Sequence, residues 1–128
     1  MFQALCVLLP TLAACDESVW AYGGADATFV LAEIDGAPFP ARATLTFPAP
    51  GELAGEGPCN LYNAAQLAPY PWFEAGPIAA SRRACPDLGA EAAYFEALAA
   101  MEFAEVLGGV LILSTSSGRE MVFTAAPD

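Results

Sequence analysis

The sequence has no histidine and no lysine, and its 128 residues include only four basic ones, Arg42, Arg82, Arg83 and Arg119. Each absence removes a class of function. Without histidine there is no Ser-His or Cys-His pair to activate a nucleophile. Zinc sites with imidazole ligands are excluded for the same reason, and a lysine Schiff base is excluded too. Fifteen acidic residues against four arginines give a net charge of −11. A nucleic-acid groove needs a basic stripe to neutralise phosphates, so nucleic acid is excluded as a partner. The carboxylates are scattered, with no close pair suggesting a metal loop or a glycosidase dyad. They read as a solvated acidic surface. No metal, cofactor or catalytic residue is expected, and the chain is read as a non-enzyme.

What is present is apolar. Hydrophobic residues make up 56% of the chain, in large part alanine. The length suits one domain with a modest single core. Phe2 to Leu9 form an apolar run too short to span a bilayer as a helix. Leu12-Ala13-Ala14-Cys15 follows it. Leucine three places before a cysteine, with small residues between, resembles a bacterial lipobox. Cleavage there would leave Cys15 at the mature N-terminus, carrying a diacylglyceryl group. Cys6 does not fit, because bulky Leu5 precedes it. A signal peptide normally starts with a basic residue, and here the terminal amine or an upstream start would have to serve. The competing reading is a buried N-terminal strand with an incidental cysteine. The polar stretch Asp16-Glu17-Ser18 and the pair Gly23-Gly24 fit a tether better than a core. The expected organisation is therefore a signal peptide over 1–14, a lipidated cysteine and flexible tether over 15–27, and a folded domain over 28–126. That places the chain in the cell envelope, held on a membrane by the lipid on Cys15 and facing the periplasm, as a monomer.

With Cys6 removed and Cys15 modified, Cys59 and Cys85 remain. In an oxidising compartment two leftover cysteines most economically form one disulfide. Two buried thiols are a second reading. A reactive thiol tuned by Arg82 or Arg83 is a third, although no C-x-x-C motif supports it.

The rest of the chain reads as short strands around one helix. Residues 28–34, "TFVLAEI", are a strand candidate, closed by the turn Asp35-Gly36. In "ARATLTF" (41–47) Ala43, Leu45 and Phe47 face one way, and Arg42, Thr44 and Thr46 the other. A short strand is expected around Leu53 and another over "LYNAAQLAP". Pro71 and Pro77 limit "YPWFEAGPIAAS" to an edge or a bulged strand. "DLGAEAAYFEALAAM" (87–101) is the one strong helix, with Asp87 as N-cap. Leu88, Phe95 and Leu98 share its apolar face, with Tyr94 and Met101 beside it. Three strands over 101–125 form a meander turning at Gly108-Gly109 and Ser117-Gly118. The expected fold is α+β: a compact, antiparallel, barrel-like sheet of about seven or eight short strands with one packed helix over about 87–101.

Several of these pieces, in this order, resemble the META domain family of HslJ-like heat-shock lipoproteins. They are Thr28-Phe29-Val30-Leu31 with Ile34-Asp35-Gly36, and Ala43-Thr44-Leu45-Thr46-Phe47. Next come Gly55-x-Gly57-Pro58-Cys59-Asn60-x-Tyr62 and Ala80-Ser81-Arg82-Arg83-Ala84-Cys85-Pro86. The helix end Ala97-Leu98, then Gly109 to Leu113, then Met121-Val122-Phe123 complete the match. Phe29 stands where the family usually has tryptophan, Pro58 where it often has glycine, and Ser81 where it often has threonine. The resemblance implies an envelope-associated, often lipid-anchored domain. It implies no particular chemistry.

Five further residues are candidate contacts. Asn60 is read as bonding backbone at its turn, with a ligand contact as the alternative. Arg82 and Arg83 are the only local basic cluster, read either as an anion or acidic-partner site or as one internal salt bridge beside a solvated neighbour. Tyr70 and Trp72, in "PYPWF", either cover the sheet core or form an exposed patch. The expected function is binding of an unknown envelope protein, or envelope maintenance under stress. The alternative is a small-molecule or lipid site in a cavity near Trp72.

Overall fold

In the computed structural model, residues 27–127 are described. The lipobox, Cys15 and most of the expected tether lie outside them. The chain forms β1 (Thr28–Ile34), β2 (Ala37–Pro38), β3 (Thr44–Thr46), β4 (Glu52–Glu56), β5 (Leu61–Ala65) and β6 (Ala79–Ala80). Helix α1 (Leu88–Ala100) follows, then β7 (Phe103–Leu107), β8 (Val110–Ser114) and β9 (Glu120–Ala125). All nine strands belong to one antiparallel sheet ordered β6-β5-β4-β3-β1-β9-β8-β7, with β2 paired beside β1. The α+β class is as the sequence suggests.

Turn chemistry sets the register at two hairpins. Asp35 and Gly36 both have positive φ, 52° and 82°, which is the requirement of a two-residue primed turn. Ile34 therefore pairs with Ala37. Gly108-Gly109 plays the same part between Leu107 and Val110. The Ser117-Gly118 pair is different. It sits in a five-residue loop, 115–119, held by Thr115 N–H donating to Arg119 O at 3.0 Å and Gly118 N–H to Thr115 O at 3.1 Å.

The sheet curves around a core on one face. Ala43, Leu45 and Phe47 are all buried, as their alternation predicts. Phe29, Leu53, Leu111, Leu113, Met121 and Phe123 join them, each contributing about 1.5–3 kcal/mol on burial. Helix α1 closes this face through Tyr94, Ala97, Leu98 and Met101. Tyr94 meets the Tyr62 ring edge-on at 5.6 Å and Phe123 at 6.4 Å. Of the expected face, Leu98, Tyr94 and Met101 are buried and Phe95 packs partly on the core, whereas Leu88 is 44% exposed and Glu91 takes a buried place in the stripe. Asp87 is at the N-cap position but makes no side-chain cap bond.

The sheet is open, so the barrel-like expectation holds only loosely. Strands β6 and β7 lie at its two ends and do not pair. The segment after β5 bridges toward the β7 end instead. Gln66 pairs with Ala75, and Trp72 with Phe103. Ala104 N–H donates to Pro71 O at 2.8 Å, and Val106 N–H to the Tyr70 hydroxyl oxygen at 3.1 Å. These bonds occupy the outward edge of β7. The Tyr70–Pro71 peptide is cis.

Two glycines separate packing from backbone freedom. A Cβ at Gly55 would sit 2.1 Å from the Thr44 carbonyl oxygen, which is backbone and cannot rotate away. A Cβ at Gly89, in the first turn of α1, would meet nothing within 4 Å. Gly55→Ala is expected to lower stability by more than about 2 kcal/mol. Gly89→Ala is expected to raise it by about 0.5–1 kcal/mol. Urea denaturation of the two variants against the parent checks both signs.

Candidate functional site

The stretch from Glu56 to Leu61 is a tight turn between β4 and β5. Gly57 N–H donates to Asn60 O at 2.7 Å and closes it. Its far side is tied down by a disulfide between Cys59 and Cys85, whose Cα atoms are 5.7 Å apart. The 26-residue separation gives about 3.5 kcal/mol of stabilisation from constraining the unfolded chain. Both cysteines are therefore spent on structure, and the reactive-thiol reading of Cys59 has no thiol to act with.

Under the turn lies a carboxylate that the sequence reading missed. Glu91, 4% exposed, points from α1 into the turn. Its Oε2 accepts Cys59 N–H at 2.9 Å and Asn60 N–H at 2.7 Å, while its Oε1 accepts Asn60 Nδ2–H at 2.7 Å. Burial pushes the Glu91 carboxyl up, but these three bonds together outweigh it and hold it below its ordinary value. Gly57 is required here by space: a Cβ would lie 2.6 Å from Glu91 Oε2. The signal for Glu91 was its place three residues after Leu88 and three before Tyr94, on the apolar stripe of an alanine-rich helix.

Asn60 does more than hold its own turn. Its Oδ1 accepts Arg83 N–H and, at 3.0 Å, the Ser81 hydroxyl. Its Nδ2 donates to Arg83 O at 3.0 Å as well as to Glu91. The side-chain amide thus pairs with both backbone groups of Arg83, as one more residue of a strand would. It extends the β5–β6 ladder, in which Ser81 N–H donates to Leu61 O at 3.1 Å. All four hydrogen-bonding positions of the amide are used.

Two buried hydroxyls lie between the same turn and the sheet. Tyr62 donates to Thr44 O at 2.6 Å and is 2.5 Å from the Tyr94 hydroxyl, which lies 3.2 Å from the same carbonyl. Two protons serve the shorter contacts if Tyr62 donates to Thr44 and Tyr94 donates to Tyr62. Burial raises both phenols far above their ordinary range, so both stay protonated.

The remaining candidates are dispersed. Arg82 and Arg83 are exposed, and among the described residues neither makes an ion pair; the expected internal salt bridge does not form. Arg119 is the engaged arginine, with Asp35 at 3.1 Å and Glu96 at 2.9 Å. Arg83 lines a depression of about 240 Å³ with Glu56, Gly57, Pro58, Cys59, Asn60 and Leu61. Tyr70 and Trp72 part company. Tyr70 packs partly against the core, whereas Trp72 is 54% exposed with its ring 5.2 Å from that of Phe103. Trp72 is on the outer surface, and the depression is lined by other residues. Among the described residues no cluster of carboxylates and cysteines is placed to hold a metal, and no helix is long and apolar enough to cross a membrane.

An open antiparallel sheet closed by one helix, with a disulfide-locked G-x-G-x-C-N turn seated on a buried glutamate, defines a small α+β fold. The META domain profile matches residues 24–128, and the chain belongs to the META domain family. Among solved structures it is similar to a protein from Burkholderia xenovorans determined by NMR, with TM-score 0.66 and 22% identity over 91% of this chain and 94% of that one. It is also similar to a DUF4847 family protein from Bacteroides vulgatus, with TM-score 0.66 and 14% identity over 81% of this chain and 95% of that one. These likenesses concern the fold. No curated protein matches the chain.

The depressed Glu91 carboxyl makes stability depend on pH. In the acid range the unfolded chain binds the Glu91 proton before the folded one does. The stabilisation is therefore present above the unfolded value, about 4.3, and is lost as pH falls through the lower folded value. Glu91→Gln removes this component and sets an NH₂ donor against Asn60 Nδ2–H, because Asn60 Oδ1 is already held by Arg83 and Ser81. The variant is expected to lose about 1.5–3 kcal/mol at pH 7. Its stability is also expected to fall less steeply than the parent's below about pH 4.5. Denaturation at a series of pH values reads both effects.

Proposed function

We propose that this is a non-enzymatic, lipid-anchored protein of the bacterial envelope whose META domain binds another envelope protein. One observation carries the reading: the disulfide cysteines and the buried polar groups around the Cys59 turn are consumed inside the fold, while groups able to make contacts are left on its surface. Cys59, Cys85, Asn60, Glu91, Tyr62 and Tyr94 all serve internal bonds. Leu61, Trp72 and Leu107 are 58%, 54% and 60% exposed. Exposed large apolar side chains beside charged ones are the usual material of a recognition surface. The Leu12-Ala13-Ala14-Cys15 sequence supports the anchor. With it the domain stands on a membrane and faces the periplasm, which suits a role in envelope maintenance under stress.

Two measurements test this together. In bacterial cells fed labelled palmitate, the parent chain is expected to take up label and sediment with membranes, and Cys15→Ser to do neither. Label that persists in Cys15→Ser would refute the anchor. A photo-reactive residue placed at Trp72, Leu107 or Arg82 is expected to give discrete protein adducts in the envelope from at least one position. Silence at all three would refute the binding role.

A further inference from the structure

The two ends of the open sheet are treated differently. At β7 the outward N–H groups of Ala104 and Val106 are taken by Pro71 and Tyr70. At β6 no described residue does the same. Ser81 N–H bonds to Leu61 O, which makes 61 and 81 a hydrogen-bonded pair. In an antiparallel ladder the neighbouring pair, Tyr62 with Ala80, is then a non-hydrogen-bonded one. The N–H and C=O of Ala80 therefore point away from β5. Arg83 bonds inward to Asn60, so by the same alternation the backbone of Arg82 points outward with that of Ala80. Among the described residues, neither Ala80 nor Arg82 has a protein partner for these groups. Residues 79–84 are all exposed.

An unpaired edge is a template for another strand, and proteins commonly blunt it. This edge is short and carries two arginines, which limits unselective pairing, yet it is kept extended. The Asn60 amide continues the ladder to Arg83, and the disulfide at Cys85 fixes the end of the segment. A binding strand would find the edge already ordered and would not have to organise it. Charge selects the occupant. In a chain of net charge −11, Arg82 and Arg83 are adjacent and exposed, and among the described residues neither has an ion-pair partner. A second copy of the edge would bring arginine against arginine and is disfavoured. An extended peptide carrying carboxylates would match both the backbone and the charge.

We infer that the β6 edge, from Ala80 to Arg83, is a docking site for an extended acidic peptide segment of a partner protein, added as a further strand of the sheet. The inference rests on the protein-binding reading and names its partner chemistry. The incoming strand exchanges hydrogen bonds with Ala80 and Arg82, and its carboxylates meet the two guanidinium groups. The exposed side chain of Leu61, lining the neighbouring depression, offers an apolar contact next to them. This is the strand-addition mode of peptide recognition, with backbone bonds supplying affinity and charge supplying selection.

The test uses the full purified chain and a fluorescein-labelled octapeptide of alternating glutamate and valine. Two controls share its length: a lysine–valine version, and a glutamate–valine version N-methylated at alternate amides. Anisotropy is expected to show saturable binding of the first peptide only, weakening as salt rises. Arg82→Glu with Arg83→Glu is expected to weaken it at least tenfold. Amide exchange on the parent chain, read by NMR, is expected to slow at Ala80 and Arg82 when the peptide is present. That reading needs no variant to fold. Equal binding of the lysine or N-methylated peptide, no binding of any, or unchanged exchange at Ala80 and Arg82 would overturn the inference. Cellular adducts at Trp72 with an inert β6 edge would leave the broader protein-binding role intact and remove this site from it.

Discussion

The buried Glu91 carboxylate is the constraint around which this fold is arranged. It receives three donors from the β4–β5 turn: the amides of Cys59 and Asn60, and the side chain of Asn60. An ionised carboxylate out of water is tolerated only when it is bonded this fully. That requirement propagates outward. It fixes the height of α1 over the sheet, forbids a side chain at Gly57, and orients the Asn60 amide. The oriented amide in turn captures Arg83 and Ser81. The disulfide and the carboxylate thus hold the turn from two sides, one by a covalent link to Cys85 and one by hydrogen bonds to the helix.

This arrangement gives the G-x-G-x-C-N signature a physical content. Gly55 allows close approach to β3, Gly57 clears space for Glu91, Cys59 ties the turn, and Asn60 substitutes for a strand residue. Each of these four positions thus has a structural role. The surface consequence lies one layer out. The segment that Asn60 organises is the open end of the sheet, whereas the other end is closed by the loop carrying Pro71. A rigid interior thereby presents an ordered edge.

Much of this was legible in the sequence where the signal is local. The strands at 28–34 and over 103–125 follow alternation and glycine turns, and the helix follows its alanines. The cysteine pairing followed from counting. The two-residue strands β2 and β6 were not legible, because such short pieces are defined by the register of their partners and carry no period of their own. The burial of Glu91 was hidden for a related reason. A glutamate on a helix reads as solvent-facing unless one knows that a turn with three free donors lands on it. Trp72 misled in the opposite direction: an aromatic between prolines suggests a cover for the core, but an edge location turned it outward, while Tyr70 two residues earlier packs partly inward. That Arg82 and Arg83 find no ion-pair partner among the described residues depends on where acidic side chains fall in space, and no spacing encodes that.

The claim that Asn60 holds the β6 segment extended is tested most directly by native-state amide hydrogen exchange of the parent and Asn60→Ala. The Arg83 amide, which loses its acceptor in the variant, and the neighbouring Ser81 amide are expected to exchange at least tenfold faster, while amides of β8 and β9 keep their rates. Unchanged protection at Ser81 and Arg83 in a folded Asn60→Ala chain would contradict the claim.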